Sequence, residues 1–320
     1  MKYIGIQTQK RRNNMRSLVL LLLFPCLVIL LTSLFSFLLM LPAYLENNSF
    51  DLLEESLYAT LGFAPFFLSG VLIWFLIAYF ANVKIINSAT SARPLERREN
   101  KRVYNLVENL CMAEGMQMPN VQVIEDSSLN AYASGINNKT YTVTLSRGII
   151  DKLDDDELEA VIAHELSHIK NRDVRLLIVS IVFVGIFSLI AQIAIRMLRY
   201  SSFRSSGNNK NSGALVMLIA FVVAIIGYFF ASLMRFAISR KREYLADAGA
   251  AQMTKNPSAL ANALRKISQD PAIEAVKRDD VAQLFIEHPR EQKKNIFSGL
   301  IGLFATHPPI KKRIEVLEQF

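Results

Sequence analysis

Two histidines and one glutamate carry the clearest chemical signal in this chain of 320 residues. His164, Glu165 and His168 form the pattern His-Glu-x-x-His. On a helix, His164 and His168 lie one turn apart on the same face, so both imidazoles can bind one metal ion. Glu165 then lies beside them, where it can hold the water on the metal and accept its proton. This pattern is typical of zinc hydrolases, and with four histidines in the chain it arises by chance with a probability of roughly three in a thousand.

The residues before this motif predict the helix that the motif requires. Asp154 and Glu157 have the spacing of a capping box, in which each side chain binds the backbone N–H of the other residue. Acidic residues in the first turn also complement the positive end of the helix dipole. We therefore predict a helix over residues 155–170.

A third metal ligand must come from elsewhere, because catalytic zinc usually has three protein ligands and one open position. A carboxylate is the better candidate: Glu243 and Asp247 lie one turn apart in a second predicted helix. Glu243 would bind the metal, and Asp247 would accept a hydrogen bond from a ligand imidazole. The remaining histidines, His288 and His307, are the alternative ligands. The second helix could also be an ordinary surface helix in which Glu243 pairs with neighbouring basic residues.

Four apolar segments indicate that much of the chain lies in a membrane. Hydrophobic residues make up 52% of the sequence, and the mean hydropathy is +0.26. A helix needs roughly 20 apolar residues to cross the hydrocarbon of a bilayer. We predict that each of these segments is a transmembrane helix: residues 17–41, 57–82, 176–195 and 213–234. The alternatives for the last two are a buried hairpin in a soluble core and a hairpin that enters the membrane only partway.

The charges near these segments predict their orientation, since cytoplasmic flanks carry an excess of lysine and arginine. Basic residues precede the first segment and recur between Lys84 and Arg102, whereas the loop 46–55 contains only acidic charges. Both ends of the first pair are therefore placed in the cytoplasm. The linker between the third and fourth segments conflicts with this rule, because its basic residues from Arg196 to Lys210 would lie outside.

Two polar blocks remain when the four segments are removed, and together they have the size of one domain, about 180 residues. Residues 121–125 and 140–145 in the first block are predicted strands. The predicted fold is an α+β membrane protein with about four transmembrane helices and a mainly helical catalytic domain with a small β-sheet. The predicted order is a membrane anchor (1–83), the first part of the catalytic domain (84–175), an inserted transmembrane hairpin (176–234) and the second part of the catalytic domain (235–320).

The net charge of +8 is better explained by membrane topology and lipid headgroups than by nucleic-acid binding. The polar blocks mix both signs of charge, so we predict the lipid bilayer as a partner and no nucleic acid. The two cysteines, Cys26 and Cys111, lie in an apolar and a polar segment far apart, which argues against a disulfide framework.

Three motifs in this order resemble the HtpX family of membrane-embedded zinc metalloproteases, and more distantly the CAAX prenyl endoproteases. They are the segment from His164 to His168, the pair Glu243 and Asp247, and Thr306-His307-Pro308-Pro309. The resemblance implies a zincin-like catalytic domain, one Zn²⁺ ion held by His164, His168 and Glu243, Glu165 as general base, and a role in degrading damaged membrane proteins. The prenyl endoproteases have more spans than the four predicted here.

Two further sites are predicted beside these motifs. Asn130 and Ala131 match an Asn-Ala strand signature of the family, and such a strand could pair with an extended peptide substrate; the alternative is a plain hairpin strand. His307 precedes Pro308 and Pro309, which would begin the last helix. We predict that His307 donates a hydrogen bond to the oxyanion that forms when water attacks a peptide carbonyl. The alternative is a histidine at a helix entry without a catalytic role.

The predicted function is that of a zinc-dependent endopeptidase in a bacterial cytoplasmic membrane, with its catalytic domain facing the cytoplasm. Its predicted substrates are misfolded or damaged membrane proteins and unfolded polypeptides. Two other functions stay open: a catalytically silent membrane scaffold with a structural zinc, and a prenyl protease. A scaffold would leave Glu165 without a role, and a transporter would require ionisable residues within the spans, which these segments lack.

Overall fold

The computed structural model describes residues 6–47, 51–203, 210–236, 241–269, 285–286 and 308–319. These residues are mainly helical and include four short strands. In chain order the elements are α1 (Ile6–Asn47), α2 (Leu52–Thr90), β1 (Arg93–Pro94), α3 (Lys101–Ala113), β2 (Asn120–Ile124), β3 (Ala131–Ser134), β4 (Thr142–Ser146), α4 (Arg147–Lys152), α5 (Asp155–Asn171), α6 (Asp173–Phe203), α7 (Lys210–Phe236), α8 (Lys241–Thr254), α9 (Pro257–Ile267) and α10 (Ile310–Leu317).

The chain divides into two compact units. The first unit contains Met1–Arg16, Ala81–Val179 and Phe236–Phe320, and the second contains Ser17–Phe80 and Ser180–Arg235. The first unit therefore holds the sheet, the His-Glu-x-x-His motif and helix α8. The second unit holds most of the four apolar segments.

All four predicted spans are helical, in α1, α2, α6 and α7. Among the described residues, two segments are long and apolar enough to cross a membrane: Leu22–Glu46 and Leu52–Ala81. Large apolar side chains on these helices are exposed, such as Phe80 at 80%, which suits contact with lipid. The apolar stretches of α6 and α7 are shorter, Gly185–Arg196 and Leu215–Phe230. Helix length therefore supports two of the predicted spans, and the total of four stays a prediction.

A four-stranded sheet has the strand order β1-β2-β4-β3. β2 and β4 are parallel, while β1 is antiparallel to β2 and β3 is antiparallel to β4. β2 and β4 confirm the strands predicted at 121–125 and 140–145, with shifts of one or two residues at their ends. β3 comes last in this order, and its Tyr132 forms an isolated antiparallel bridge with Phe285.

Helix α5 confirms the helix predicted over 155–170 and extends it to Asn171. Its N-terminus is the expected capping box: the N–H of Glu157 donates to Oδ1 of Asp154 (2.9 Å), and the N–H of Asp154 donates to Oε2 of Glu157 (3.1 Å). The helix ends at Asn171, and the C-cap residue Arg172 adopts the left-handed conformation with φ 61°. Because α5 packs against α3, α8, α9 and β3, most of its residues are buried.

Helix α8 approaches α5 closely because small residues lie at the contact. A Cβ atom added to Gly249 would lie 2.1 Å from Oγ and 3.1 Å from Cβ of Ser167. Ala246 and Ala250, three residues before Gly249 and one after it, are fully buried on α8. The close approach brings the first turn of α8, which carries Glu243, to the histidines of α5.

Candidate metal centre

The ligand groups of three residues on α5 and α8 converge on one point. Nε2 of His164 lies 3.2 Å from Nε2 of His168 and 3.6 Å from Oε2 of Glu243. Nε2 of His168 lies 3.7 Å from Oε1 of Glu243. Zinc bonds of about 2.0–2.1 Å in a tetrahedral arrangement place ligand atoms about 3.3 Å apart. The three residues predicted from the sequence as metal ligands thus lie together, at spacings that suit zinc.

Asp247 lies beside the first of these histidines. Its Oδ1 is 3.0 Å from Nδ1 of His164, which is the contact expected of a carboxylate that accepts a hydrogen bond from a ligand imidazole. Arg313 of α10 binds the same carboxylate at both oxygens, through Nε (2.9 Å) and Nη2 (2.7 Å). The side chain of Arg313 is completely buried. The sequence analysis gave this residue no role. The available signal was an arginine about one turn after Pro308-Pro309 in a predicted helix.

The charges around His164 determine its protonation. Burial by itself lowers the pKa of His164, but the hydrogen bonds to Asp247 and Glu243 outweigh burial and raise the pKa to about 9. For Asp247, burial acts to raise the pKa, but the charge of Arg313 and the hydrogen bond to His164 hold the pKa below its usual range. Asp247 is therefore a charged acceptor at neutral pH and holds the proton on Nδ1 of His164. With a pKa of about 9, the imidazole also carries a proton on Nε2 at neutral pH, and a metal that binds there would displace it.

Glu165 lines the same cleft as the three candidate ligands. Its side chain is buried, and burial raises the pKa of its carboxyl against the lowering effect of the two histidines. A raised pKa makes a carboxylate a better proton acceptor near neutral pH. Part of the lining of the cleft is apolar: Val174, Leu177, Phe285 and Ile286.

The residues predicted to bind substrate lie next to this cleft and make contacts within the chain. Oδ1 of Asn130 accepts a hydrogen bond from the N–H of Ala131 (3.0 Å). The carbonyl of Ala131 accepts one from the N–H of Ile286 (2.8 Å). Among the described residues of β3, Ala133 lines the cleft. The substrate-binding role of Asn130 and Ala131 stays a prediction, and in this conformation the chain itself holds the outward carbonyl of Ala131.

His307 and His288 lie outside the described residues. The roles of oxyanion donor and alternative metal ligand stay predictions. The helix that the Pro308-Pro309 pair was predicted to begin is α10, which follows Pro309 directly.

A helix with the His-Glu-x-x-His pattern, a carboxylate from a second helix and long apolar helices together define a membrane zinc metalloprotease. Residues 97–320 match the model of peptidase family M48. This match covers more than half of the chain, and the protein belongs to that family.

Several relatives carry the name Protease HtpX homolog. The chain is 65% identical over 322 residues to the relative from Bacteroides fragilis, with 100% of both chains covered. It is 39% identical over 257 residues to that of Dictyoglomus thermophilum (78% of this chain, 81% of the relative), and 36% identical over 258 residues to one from Listeria monocytogenes (77% and 82%). Among solved structures, that of Ste24p from S. mikatae aligns with a TM-score of 0.45 and 22% identity, over 81% of this chain and 58% of that one.

These relationships confirm the resemblance to the HtpX family and the prediction of a metalloprotease. The protein cleaves peptide bonds and acts in a membrane context. The family is zinc-dependent, and the described residues include one cluster with suitable donors, His164, His168 and Glu243.

Proposed function

We propose that this chain hydrolyses internal peptide bonds of misfolded or damaged membrane proteins with one Zn²⁺ ion bound by His164, His168 and Glu243. The observation that carries this proposal is the convergence of three residues: the two Nε2 atoms lie 3.2 Å apart, and each lies 3.6 or 3.7 Å from a carboxylate oxygen of Glu243. Glu165 lines the same cleft. Two imidazoles and one carboxylate are a donor set that suits catalytic zinc and leaves a fourth position open.

The proposed reaction assigns a task to each side chain of the cleft. A bound zinc ion supplies Lewis-acid polarisation of the scissile carbonyl and lowers the pKa of water. Glu165 accepts the proton of the attacking water and later delivers it to the nitrogen of the leaving amine. Asp247 holds the proton on Nδ1 of His164, and Arg313 keeps Asp247 ionised. His307 is proposed to donate a hydrogen bond to the oxyanion.

The substrate is proposed to bind in an extended conformation along β3. Antiparallel pairing within a sheet leaves the N–H and C=O groups of alternate residues facing outward at an edge strand, where a peptide can pair with them. Residues 285–286 pair with the start of β3 in this conformation, so a substrate that pairs there would displace them. Ala133 lines the cleft, and Asn130 and Ala131 lie at the start of the same strand. In this arrangement Asn130 contributes by holding the N–H of Ala131.

We also propose that α1, α2, α6 and α7 all cross a bacterial cytoplasmic membrane and that the first unit faces the cytoplasm. The apolar lengths of α1 and α2 support this, as do the basic flanks of the first two segments. The division of the chain into two units supports the proposed order of an anchor (1–83), a catalytic domain in two parts (84–175 and 235–320) and an inserted hairpin (176–234). Cytoplasmic loops and tails of membrane proteins would then be the accessible substrates.

The decisive experiment replaces Glu165 by Gln in the full-length protein in detergent. This change keeps the size of the side chain and removes the proton acceptor, so zinc should stay bound while hydrolysis of casein falls by several orders of magnitude. Loss of a single acid–base group typically costs about 10²–10⁴-fold in rate. The loss should be larger here, because both water activation and proton delivery depend on Glu165. Glu159→Gln, a change of the same kind on the half-exposed face of α5, is the matched control and should keep wild-type activity.

Cleavage assays on different substrates distinguish the rival functions. A zinc-loaded Glu165→Gln protein that cleaves casein at nearly the wild-type rate would disprove the proposed mechanism. A wild-type protein that binds zinc and cleaves neither casein nor an unfolded membrane protein would favour the silent scaffold. Cleavage restricted to a prenylated peptide, with no cleavage of the matched unprenylated peptide, would favour the prenyl protease.

A further inference from the structure

Asp173 occupies a special place in the chain, at the first position of α6 and directly after the residue that ends α5. Arg172 takes the left-handed conformation with φ 61° and ψ 24°, and the helix resumes with Asp173. The turn brings Asp173 back beside His168, five positions earlier. Only 1% of the residue is exposed. From sequence alone, Asp173 resembles an ordinary acidic residue in the first turn of a helix, which is why its relation to the metal motif was missed.

The carboxylate of Asp173 contacts the ring nitrogen of His168 that faces away from the candidate metal position. Its Oδ2 lies 3.2 Å from Nδ1 of His168, whereas Nε2 of the same ring converges with His164 and Glu243. A carboxylate at Nδ1 accepts a hydrogen bond from this nitrogen and thereby fixes the plane and the tautomer of the ring.

We propose that Asp173 is a positioning residue that holds His168 in the orientation and tautomer required of a zinc ligand. This inference rests on the proposed function, because it concerns the same metal centre. Each candidate ligand histidine has a carboxylate at its Nδ1 atom: Asp173 lies 3.2 Å from Nδ1 of His168, and Asp247 lies 3.0 Å from Nδ1 of His164. The two carboxylates come from different helices, α6 and α8, so each ligand imidazole is oriented by a separate element.

A second contact ties Asp173 to the helix of the third ligand. Nη1 of Arg242 donates a hydrogen bond to the backbone carbonyl of Asp173 (3.2 Å), and the contact is buried. Arg242 immediately precedes Glu243 on α8. This hydrogen bond holds the start of α6 against the start of α8. It therefore fixes the position of Asp173, which orients His168, relative to Glu243, the third candidate ligand.

A simpler role for Asp173 is to stabilise the start of α6, because an acidic side chain at a helix N-terminus interacts favourably with the helix dipole. Serine separates the two roles. At this first helical position it keeps a small polar side chain and loses only the modest attraction of a charge to the helix dipole, but it has no carboxylate to hold the Nδ1 proton of His168.

The test measures zinc affinity of the full-length protein in detergent by competition with a chelator, together with the thermal unfolding of the metal-free protein. We expect Asp173→Ser and Asp173→Ala to bind zinc about 10- to 100-fold more weakly than the wild type. The unfolding midpoint of metal-free Asp173→Ser should stay within a few degrees of the wild-type value, and the visible absorption of its cobalt-substituted form should change. Asp156→Ser, which removes an exposed carboxylate from the first turn of α5, is the control and should bind zinc as the wild type does.

The outcomes separate this inference from the proposed function. Wild-type zinc affinity in Asp173→Ser, together with weak binding in His168→Ala, would overturn the role of Asp173 and leave the metal centre standing. Wild-type affinity in His168→Ala itself would overturn the metal centre. If Asp173→Ser lowers the unfolding midpoint further, the visible absorption of its cobalt-substituted form decides, and a wild-type spectrum overturns the inference.

Discussion

Arg313 and Asp247 form a two-point ion pair in the interior of the protein. Nε and Nη2 of the arginine lie 2.9 and 2.7 Å from the two carboxylate oxygens, across 66 positions of sequence. Neither side chain is more than 2% exposed. Because Asp247 also contacts Nδ1 of His164, the pair links the last helix of the chain to the candidate metal centre.

Removal of Arg313 should therefore affect both stability and metal binding. Arg313→Ala leaves the carboxylate of Asp247 buried without its main counter-charge, a change that costs about 3–5 kcal/mol in the free energy of unfolding. Chemical unfolding of the metal-free protein measures this, and zinc affinity should fall as well. The control is Arg265→Ala, which removes an exposed pair with Glu318 and should cost less than about 1 kcal/mol. Equal stability of the two variants would contradict the role given to Arg313.

Loss of the metal should abolish proteolysis. Dialysis against a chelator removes zinc and with it the casein-cleaving activity, and addition of one equivalent of zinc should restore the activity. At limiting metal, Ala in place of His164, His168 or Glu243 should sharply lower the bound zinc measured by elemental analysis. His288→Ala should retain it. Full retention in Glu243→Ala, with loss in His288→Ala, would move the third ligand to His288.

The contact between α5 and α8 makes Gly249 sensitive to substitution. A Cβ at this position would lie 2.1 Å from Oγ of Ser167, so Gly249→Ala should lower the free energy of unfolding by about 1–3 kcal/mol through overpacking. Ser167→Ala removes the nearest atom. In a double-mutant cycle measured by chemical unfolding, Ser167→Ala should recover part of the loss. Purely additive costs would show that the two residues do not limit the approach of the helices.

His307 is predicted to act on the transition state alone. His307→Ala should lower kcat by about 10²–10³-fold while KM and bound zinc stay close to the wild type. Steady-state kinetics on a quenched peptide substrate, with zinc analysis of the same preparation, provides the measurement. An unchanged kcat would reduce His307 to a structural residue, and a loss of zinc would make it a ligand.

The number of spans can be measured directly. In a background without Cys26 and Cys111, a single cysteine at Ser205 lies in the linker between the third and fourth apolar segments. Four full spans predict that an impermeant thiol reagent labels this cysteine from the outer face of intact spheroplasts. A cysteine at Ser91, between α2 and β1, is the cytoplasmic control and should react only after permeabilisation. The same behaviour at Ser205 would show that the hairpin does not cross the membrane.

The sequence by itself determined the local parts of this protein. The capping box at Asp154 and Glu157 and the spacing of His164 and His168 depend on residues within one or two turns of a helix, so the start of α5 and the shared face of its histidines follow from neighbours in the chain. The pairing of Glu243 with Asp247 one turn apart is local in the same sense. Apolar segments long enough to cross a bilayer can likewise be read from the sequence without knowledge of the fold.

Only the tertiary structure decided which distant groups meet. Glu243 reaches the histidines because Gly249 and Ser167 allow two helices to approach, and no local pattern encodes that distance. Arg313 and Asp173 both appeared as ordinary charged residues of helices, since a charge reveals a buried role only when its partner is known. Asp173 meets His168 through the left-handed turn at Arg172, and Arg313 meets Asp247 through the packing of α10 on α8. These contacts depend on the packing of whole elements, whose geometry no stretch of a few residues contains.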